Sequence, residues 1–217
     1  DGRNMRHRLT HQGMAETRVF VSHTTPELDV AQNLLSSVRN LPLTVVLAGE
    51  EVEPGRARRN LEGQLRNSDL VIVLLTDDAA DDYWVNQELG YAKAKGLPII
   101  PIVEDEEYLR GYVEGTDGVQ YEPQNPEVTV FNLLSRLRSE LEPIGTLSSP
   151  SWYVAFPCNN GQCKAEVQLE IERLQKDLWQ RFEHGKLLRA ECPECGAAYE
   201  FNPATLGFVR SVAPQAE

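Results

Sequence analysis

The sequence predicts an α/β fold, a doubly wound parallel sheet followed by a small metal-stabilised region, and three observations predict it. Between residues 18 and 142, short apolar runs alternate with longer amphipathic stretches, the pattern of strands joined by crossover helices. The run Leu70-Val71-Ile72-Val73-Leu74-Leu75 is apolar at every position, as a strand covered on both faces must be. All four cysteines lie beyond residue 150, in two closely spaced pairs.

Strands are expected at Arg18–Ser22, Leu43–Leu47, Leu70–Leu75, Pro98–Val103 and Gly118–Tyr121, the third being central. Pro98 and Pro101 each lack an amide donor, so the fourth strand is expected near an edge or short. The first helix is expected to open at Thr25-Pro26, a capping hydroxyl followed by proline in the first turn, and to bury Leu28, Ala31, Leu35 and Val38. A second carries Ala57, Leu61 and Leu65 on one face, and the last carries Val130, Leu134, Leu137 and Leu141. Another spans Trp84 to Ala92, with Val85, Leu89 and Ala92 forming the core stripe at about 100° per residue.

A chain of 217 residues can bury at least one good core, and no apolar run approaches the ~20 residues of a membrane span. The net charge of -12 argues against a phosphate-backbone binder and is also compatible with a high-salt habitat. The opening residues, Asp1 to Arg8, are basic, and no apolar signal region follows them. Residues 1–13 therefore read as a disordered leader or expression remnant, with Met14 as the natural start. Residues 14–142 form the expected α/β domain, 143–151 a linker rich in Pro, Gly and Ser, and 152–217 a second domain.

Open parallel sheets bind ligands outside the carboxyl ends of their strands. Three loops are expected there. Ser22-His23-Thr24-Thr25 offers hydroxyls and free amides to a phosphate or ribose, although a plain helix cap accounts for Thr25 alone. Glu50 to Arg59 switches from acidic to basic around Glu53-Pro54-Gly55 and could clamp a ligand or a partner chain, or be simply solvated surface. Thr76 to Tyr83 carries Asp77, Asp78, Asp81 and Asp82, whose spacing fits no calcium loop and reads as helix-start acids. That loop leads to Trp84 and Glu88, which share the edge of the core stripe. A half-buried carboxylate is costly unless it is hydrogen-bonded or serves a ligand, and an indole is a platform for a flat ring. The bland reading is that Glu88 caps a loop.

Several of these segments, in order, resemble the TIR (Toll/interleukin-1 receptor) family over roughly residues 17–142. Val19-Phe20-Val21-Ser22-His23 looks like the family's opening motif, and Pro54-Gly55 like its BB loop. Leu65 to Thr76 looks like the approach to the third strand and that strand, and Trp84 to Leu89 like a Trp-x-x-x-Glu-Leu segment. Asp82, Thr76 and Val85 depart from the commoner serine, serine and cysteine, and point to a prokaryotic-type member. The resemblance implies a flavodoxin-like sheet and two classes of function. Many members cleave NAD+ between nicotinamide and ribose, some cyclising the product, and self-association completes their site. Others are adaptors without catalysis. For an enzyme, the resemblance places the catalytic carboxylate at Glu88, with Ser22, His23, Thr24, Trp84, Glu53, Pro54 and Gly55 around the substrate. Another nucleoside-cleaving N-glycosidase is a third reading.

Cys158-x4-Cys163 and Cys192-x2-Cys195 have the spacing of paired zinc knuckles, so a closed, structural Zn2+ site on all four thiolates is expected. Disulfides in an exported protein and a rubredoxin-like iron site are the alternatives. The missing signal region and an NAD-linked partner favour a reducing, cytoplasmic setting. Ile171, Leu174, Leu178 and Phe182 recur at helical spacing between the pairs, while Trp152, Tyr153, Phe156, Tyr199 and Phe201 flank the knuckles in strand-like segments. The region reads as a zinc ribbon with an inserted helix, His184 lying on its surface. It is expected to dock a protein or support oligomerisation, nucleic acid being disfavoured by its excess of acids over bases.

Overall fold

The computed structural model describes residues 17–36, 38, 41, 43–48, 63–141, 152–171 and 175–213. The proposed leader and linker, the loop holding Glu53, Pro54 and Gly55, and Ala57, Leu61 and Leu174 lie outside the described residues.

Five parallel strands form the first sheet: β1 (Thr17–Ser22), β2 (Leu43–Leu47), β3 (Leu70–Leu75), β4 (Ile99–Val103) and β5 (Val119–Gln120). Their order is β2-β1-β3-β4-β5, so the wholly apolar β3 is central and every one of its residues is buried. Strand alternation divides its side chains between two cores. Leu70, Ile72 and Leu74 join Val19 and Val21 beneath α1 (Leu28–Leu35), whose Ala31, Leu34 and Leu35 are buried there. On the opposite face, Val73 and Leu75 pack with Val85 and Leu89, while Phe20 and Val71 pack with Leu65 and Ala92.

β4 is one strand in from the edge and five residues long. Its pairing with β5 covers only Ile102 and Val103, leaving Pro101 no β5 residue to donate to. Proline is tolerated for that reason. The short helix α2 (Asp77–Ala80) precedes α3 (Tyr83–Lys95). Asp82 caps α3 by accepting the amides of Trp84 and Val85 at 2.8 and 2.9 Å. The caps of aspartate and serine are of comparable worth, which explains the departure at this position. Gly96, at φ 68°, ends α3 in the left-handed region that glycine enters without strain. α4 (Pro126–Leu141) then buries Val130, Leu133, Leu134 and Leu137 against the first core.

The start of α1 departs from expectation. Its cap lies one residue earlier, at Thr24, and a 3-10 turn over Thr25–Glu27 precedes the helix. The Thr24 amide donates to the Glu27 carboxylate at 2.9 Å, the glutamate's half of a capping box, and the Glu27 amide donates to the Thr24 carbonyl at 3.1 Å.

The C-terminal residues form two small antiparallel sheets. β6 (Trp152–Pro157) pairs with β7 (Glu166–Ile171), and β8 (Leu188–Glu191), β9 (Ala198–Phe201) and β10 (Phe208–Val212) form the other. Helix α5 (Gln175–Glu183) lies between β7 and β8 in the chain. Ile171, expected on that helix, instead ends β7 opposite Trp152, because its neighbours Val167 and Leu169 set an alternating period that buries one face. α5 meets α4 through Phe131 and Trp179, ring centroids 4.7 Å apart. Among the described residues no helix is long and apolar enough to cross a membrane.

Candidate functional site

β1 ends at Ser22, in register with Val73 of β3 and wholly buried. Alternation places its side chain on the same face as Phe20, beneath α3. There the Ser22 hydroxyl donates to Glu88 Oε2 at 2.6 Å. Val85 and Leu89 anchor α3 to the sheet, and Glu88 sits at the border of that stripe, half-buried. Burial pushes its carboxyl up from 4.5 to about 7; the Ser22 hydrogen bond pulls it down and the charge of Asp82 adds to the rise. One carboxylate that titrates near neutrality thus stands at the carboxyl end of the sheet, where such folds bind ligands.

The next two residues carry polar atoms with no protein partner. His23 is buried and its Nδ1 donates to the Thr24 carbonyl at 2.7 Å. Nε2 and the Thr24 hydroxyl are both buried without a hydrogen-bond partner. Trp84 lies one turn before Glu88, about half exposed at 46%, with its ring edge-on to Tyr83 at 5.6 Å. The structure thus joins Ser22 directly to Glu88, and sequence adjacency alone brings His23 and Thr24 near. Three of the four aspartates act as expected, Asp77 and Asp78 opening α2 and Asp82 capping α3; Asp81 instead ends α2 and pairs with Arg110 at 2.5 Å.

The family model of the TIR domain matches residues 19–125. Residues 19–125 are a TIR domain. Among solved structures, the TIR domains of the activated Roq1 resistosome, which directly recognizes the pathogen effector XopQ, align at 13% identity and a TM-score of 0.42, covering 56% of this chain and 99% of that one. A 2-deoxyribosyltransferase from the psychrotolerant bacterium Bacillus psychrosaccharolyticus aligns at 18% identity and a TM-score of 0.41, covering 50% of this chain and 88% of that one. No curated protein matches the sequence.

One residue of the TIR domain site escaped the sequence reading. Glu27 is only 6% exposed, and besides the Thr24 amide it accepts the hydroxyl of Thr76 at the end of β3. It ties the loop after β1 to the neighbouring strand. The signal was present as Thr24-x-x-Glu27, a capping-box pattern hidden beside Thr25-Pro26. Glu27 and Thr76 also line a cavity of about 430 Å³ with Asp77, Glu104 and Tyr121; neither Ser22 nor Glu88 borders it.

Beyond the TIR domain, hairpin geometry assembles the cysteines. Cys158 follows β6 and Cys163 lies in the turn to β7; Cys192 and Cys195 occupy the corresponding places between β8 and β9. Gly196, at φ 70°, permits the tight turn after Cys195. The four Sγ atoms lie within 4.8 Å of one another, with Cys158–Cys195 at 3.6 Å and Cys163–Cys192 at 3.8 Å. Tetrahedral zinc–sulfur bonds of about 2.3 Å would separate sulfurs by roughly 3.8 Å, so the donor set and its spacing fit Zn2+. The thiols are free rather than paired as disulfides. The Tyr199 hydroxyl holds Cys158 below the ordinary thiol range, and the Asn160 amide brings Cys195 down to about 6. Cys163 accepts the Ala165 amide, yet burial and its sulfur neighbours push it up to about 12. Such a cluster cannot ionise fully without a cation.

Proposed function

We propose that this TIR domain cleaves NAD+ between nicotinamide and ribose, with Glu88 as the catalytic carboxylate, yielding linear or cyclised ADP-ribose for signalling or defence. The observation that carries the reading is the half-buried Ser22–Glu88 hydrogen bond at the carboxyl end of the sheet. The leaving nitrogen of NAD+ is a positively charged pyridinium. When the bond from C1′ breaks, both electrons pass to that nitrogen and nicotinamide departs neutral, so no general acid is needed. Positive charge grows on the ribose instead. An oriented carboxylate stabilises it electrostatically and can accept a hydrogen bond from a ribose hydroxyl. The positively charged pyridinium ring of the substrate, placed beside Glu88, itself favours the ionised form of the carboxylate. Water then attacks C1′ and loses a proton, or an atom of the product takes its place and closes a ring.

The unpartnered Nε2 of His23 is suited to a ribose hydroxyl, the Thr24 hydroxyl can donate to a ribose or phosphate oxygen, and Trp84 offers a stacking face. Glu53, Pro54 and Gly55 complete the site from their own or a neighbouring protomer, so self-association switches activity on. Residues 152–217 form a separate zinc-ribbon-like domain that supports assembly or docks a protein. Zn2+ on Cys158, Cys163, Cys192 and Cys195 would cross-link its hairpins and leave no open position for chemistry. Free thiols suit a cytoplasmic setting.

The test is NAD+ consumption by concentrated, zinc-loaded full-length chain, alone and tethered to a surface to force association. Nicotinamide release by wild type and none by Glu88→Ala is the expected result. Full activity in Glu88→Ala would remove the catalytic assignment, and no turnover in any assembled form would leave a non-catalytic interaction module.

A further inference from the structure

Tyr199 is 1% exposed, and its ring packs edge-on against Phe156 with centroids 4.9 Å apart. Phenylalanine would fill that space equally well, so the hydroxyl requires its own explanation. Burying a hydroxyl is costly unless it is hydrogen-bonded. Its oxygen accepts the backbone amide of Asn159 at 3.0 Å. Its single proton has two acceptors within reach, Cys158 Sγ at 3.0 Å and Asn159 Oδ1 at 3.1 Å.

Solvent access distinguishes the two. Asn159 is exposed and its carbonyl oxygen has water as an alternative partner, whereas Cys158 is 1% exposed and its sulfur finds donors only inside the fold, in the Asn160 amide, the neighbouring thiols and Tyr199. Four thiolates around a divalent ion carry a net charge of two minus, and a buried sulfur can shed its share of that charge only to hydrogen-bond donors. When Cys158 is a neutral thiol, its own S–H can donate to the Tyr199 oxygen, while the hydroxyl proton points to Asn159. When Cys158 has given up its proton to solvent and binds a metal ion, the hydroxyl turns to the sulfur. The amide of Asn159 holds the oxygen in place in both arrangements.

We propose that Tyr199 is a positioning residue for the four-cysteine site, donating its hydroxyl proton to the Cys158 thiolate and thereby setting how firmly the site retains a divalent metal ion. This rests on the reading of the cluster as a metal site. Outer-shell hydrogen bonds of this kind change metal affinity by about 10- to 100-fold.

The experiment compares full-length wild type, Tyr199→Phe and Phe156→Leu, each loaded with Zn2+ for chelator competition and with Co2+ for absorption spectra. Tyr199→Phe is expected to bind zinc at least about tenfold more weakly and to shift the thiolate-to-cobalt charge-transfer band. Phe156→Leu, which loosens the packing and keeps the hydroxyl, is expected to leave that band in place. A Tyr199→Phe protein with wild-type affinity and spectrum, or an equal band shift in Phe156→Leu, overturns the proposal. Wild type that binds neither metal overturns both it and the underlying metal reading. Should Tyr199→Phe fail to fold, wild type loaded with 113Cd decides: a scalar coupling between cadmium and the Tyr199 hydroxyl proton supports the bond, and no coupling overturns it.

Discussion

The hydroxyl of Ser22, the last residue of β1, donates to Glu88 on α3 across 66 residues of sequence, at 2.6 Å. It is the favourable contact of a carboxyl that burial otherwise drives toward its neutral form, and it couples the strand end to the proposed chemistry.

That coupling has a kinetic signature. With Glu88 acting as an anion, NAD+ cleavage should rise with pH along an acid limb near 7 in kcat/KM. Ser22→Ala removes the contact that lowers this value, so its limb should move to higher pH and its rate at neutral pH should fall. A pH profile of the variant superimposable on wild type would show that the hydroxyl does not tune the carboxylate.

The same group should oppose stability at high pH. Its folded value, about 7, lies above the ordinary 4.5, so the stabilising contribution is fully present below pH 4.5 and lost as pH rises through about 7. At 1.36 kcal/mol per pH unit the loss is on the order of 3 kcal/mol at most. Glu88→Gln should therefore raise the denaturation midpoint at pH 8 and leave it nearly unchanged at pH 4. Denaturant titrations of both proteins at the two pH values measure this.

Glu27 holds the other side of the loop. Glu27→Ala leaves the Thr24 amide and Thr76 hydroxyl without their acceptor, at a cost of about 1–3 kcal/mol. Glu27→Gln retains one acceptor oxygen and should recover part of that loss. Urea unfolding at neutral pH would rank the variants.

In the C-terminal sheets, Cys192→Ser should release the metal ion and unfold residues 152–213. Structural zinc sites supply about 10–16 kcal/mol in small domains, as much as the ~5–15 kcal/mol that stabilises a whole one. Limited proteolysis should then cut beyond residue 152 while the TIR domain stays intact, and Trp179, released from Phe131, should fluoresce further to the red. An equally resistant, metal-free wild type would count against a structural metal.

Patterns of short range were legible. The unbroken apolar run of β3 could only be a covered strand, and Val85, Leu89 and Ala92 could only be one face of a helix, so the sheet and the position of Glu88 at its edge followed from periodicity. Cysteine spacing likewise announced two tight turns. Ile171 fits a helix or a strand equally well because a single apolar residue satisfies either period, and only its pairing with Trp152 decides between them.

The sequence by itself thus determined the α/β class, the central strand, the half-buried place of Glu88 and the pairing of thiols by knuckle, because each is written in spacings of a few residues. Tertiary structure alone decided that Ser22 meets Glu88, that Glu27 ties Thr24 to Thr76, and that the Tyr199 hydroxyl reaches Cys158. These contacts join segments whose approach is set by strand order and hairpin register, and no local pattern encodes the distance between two side chains that only the packed sheet brings together.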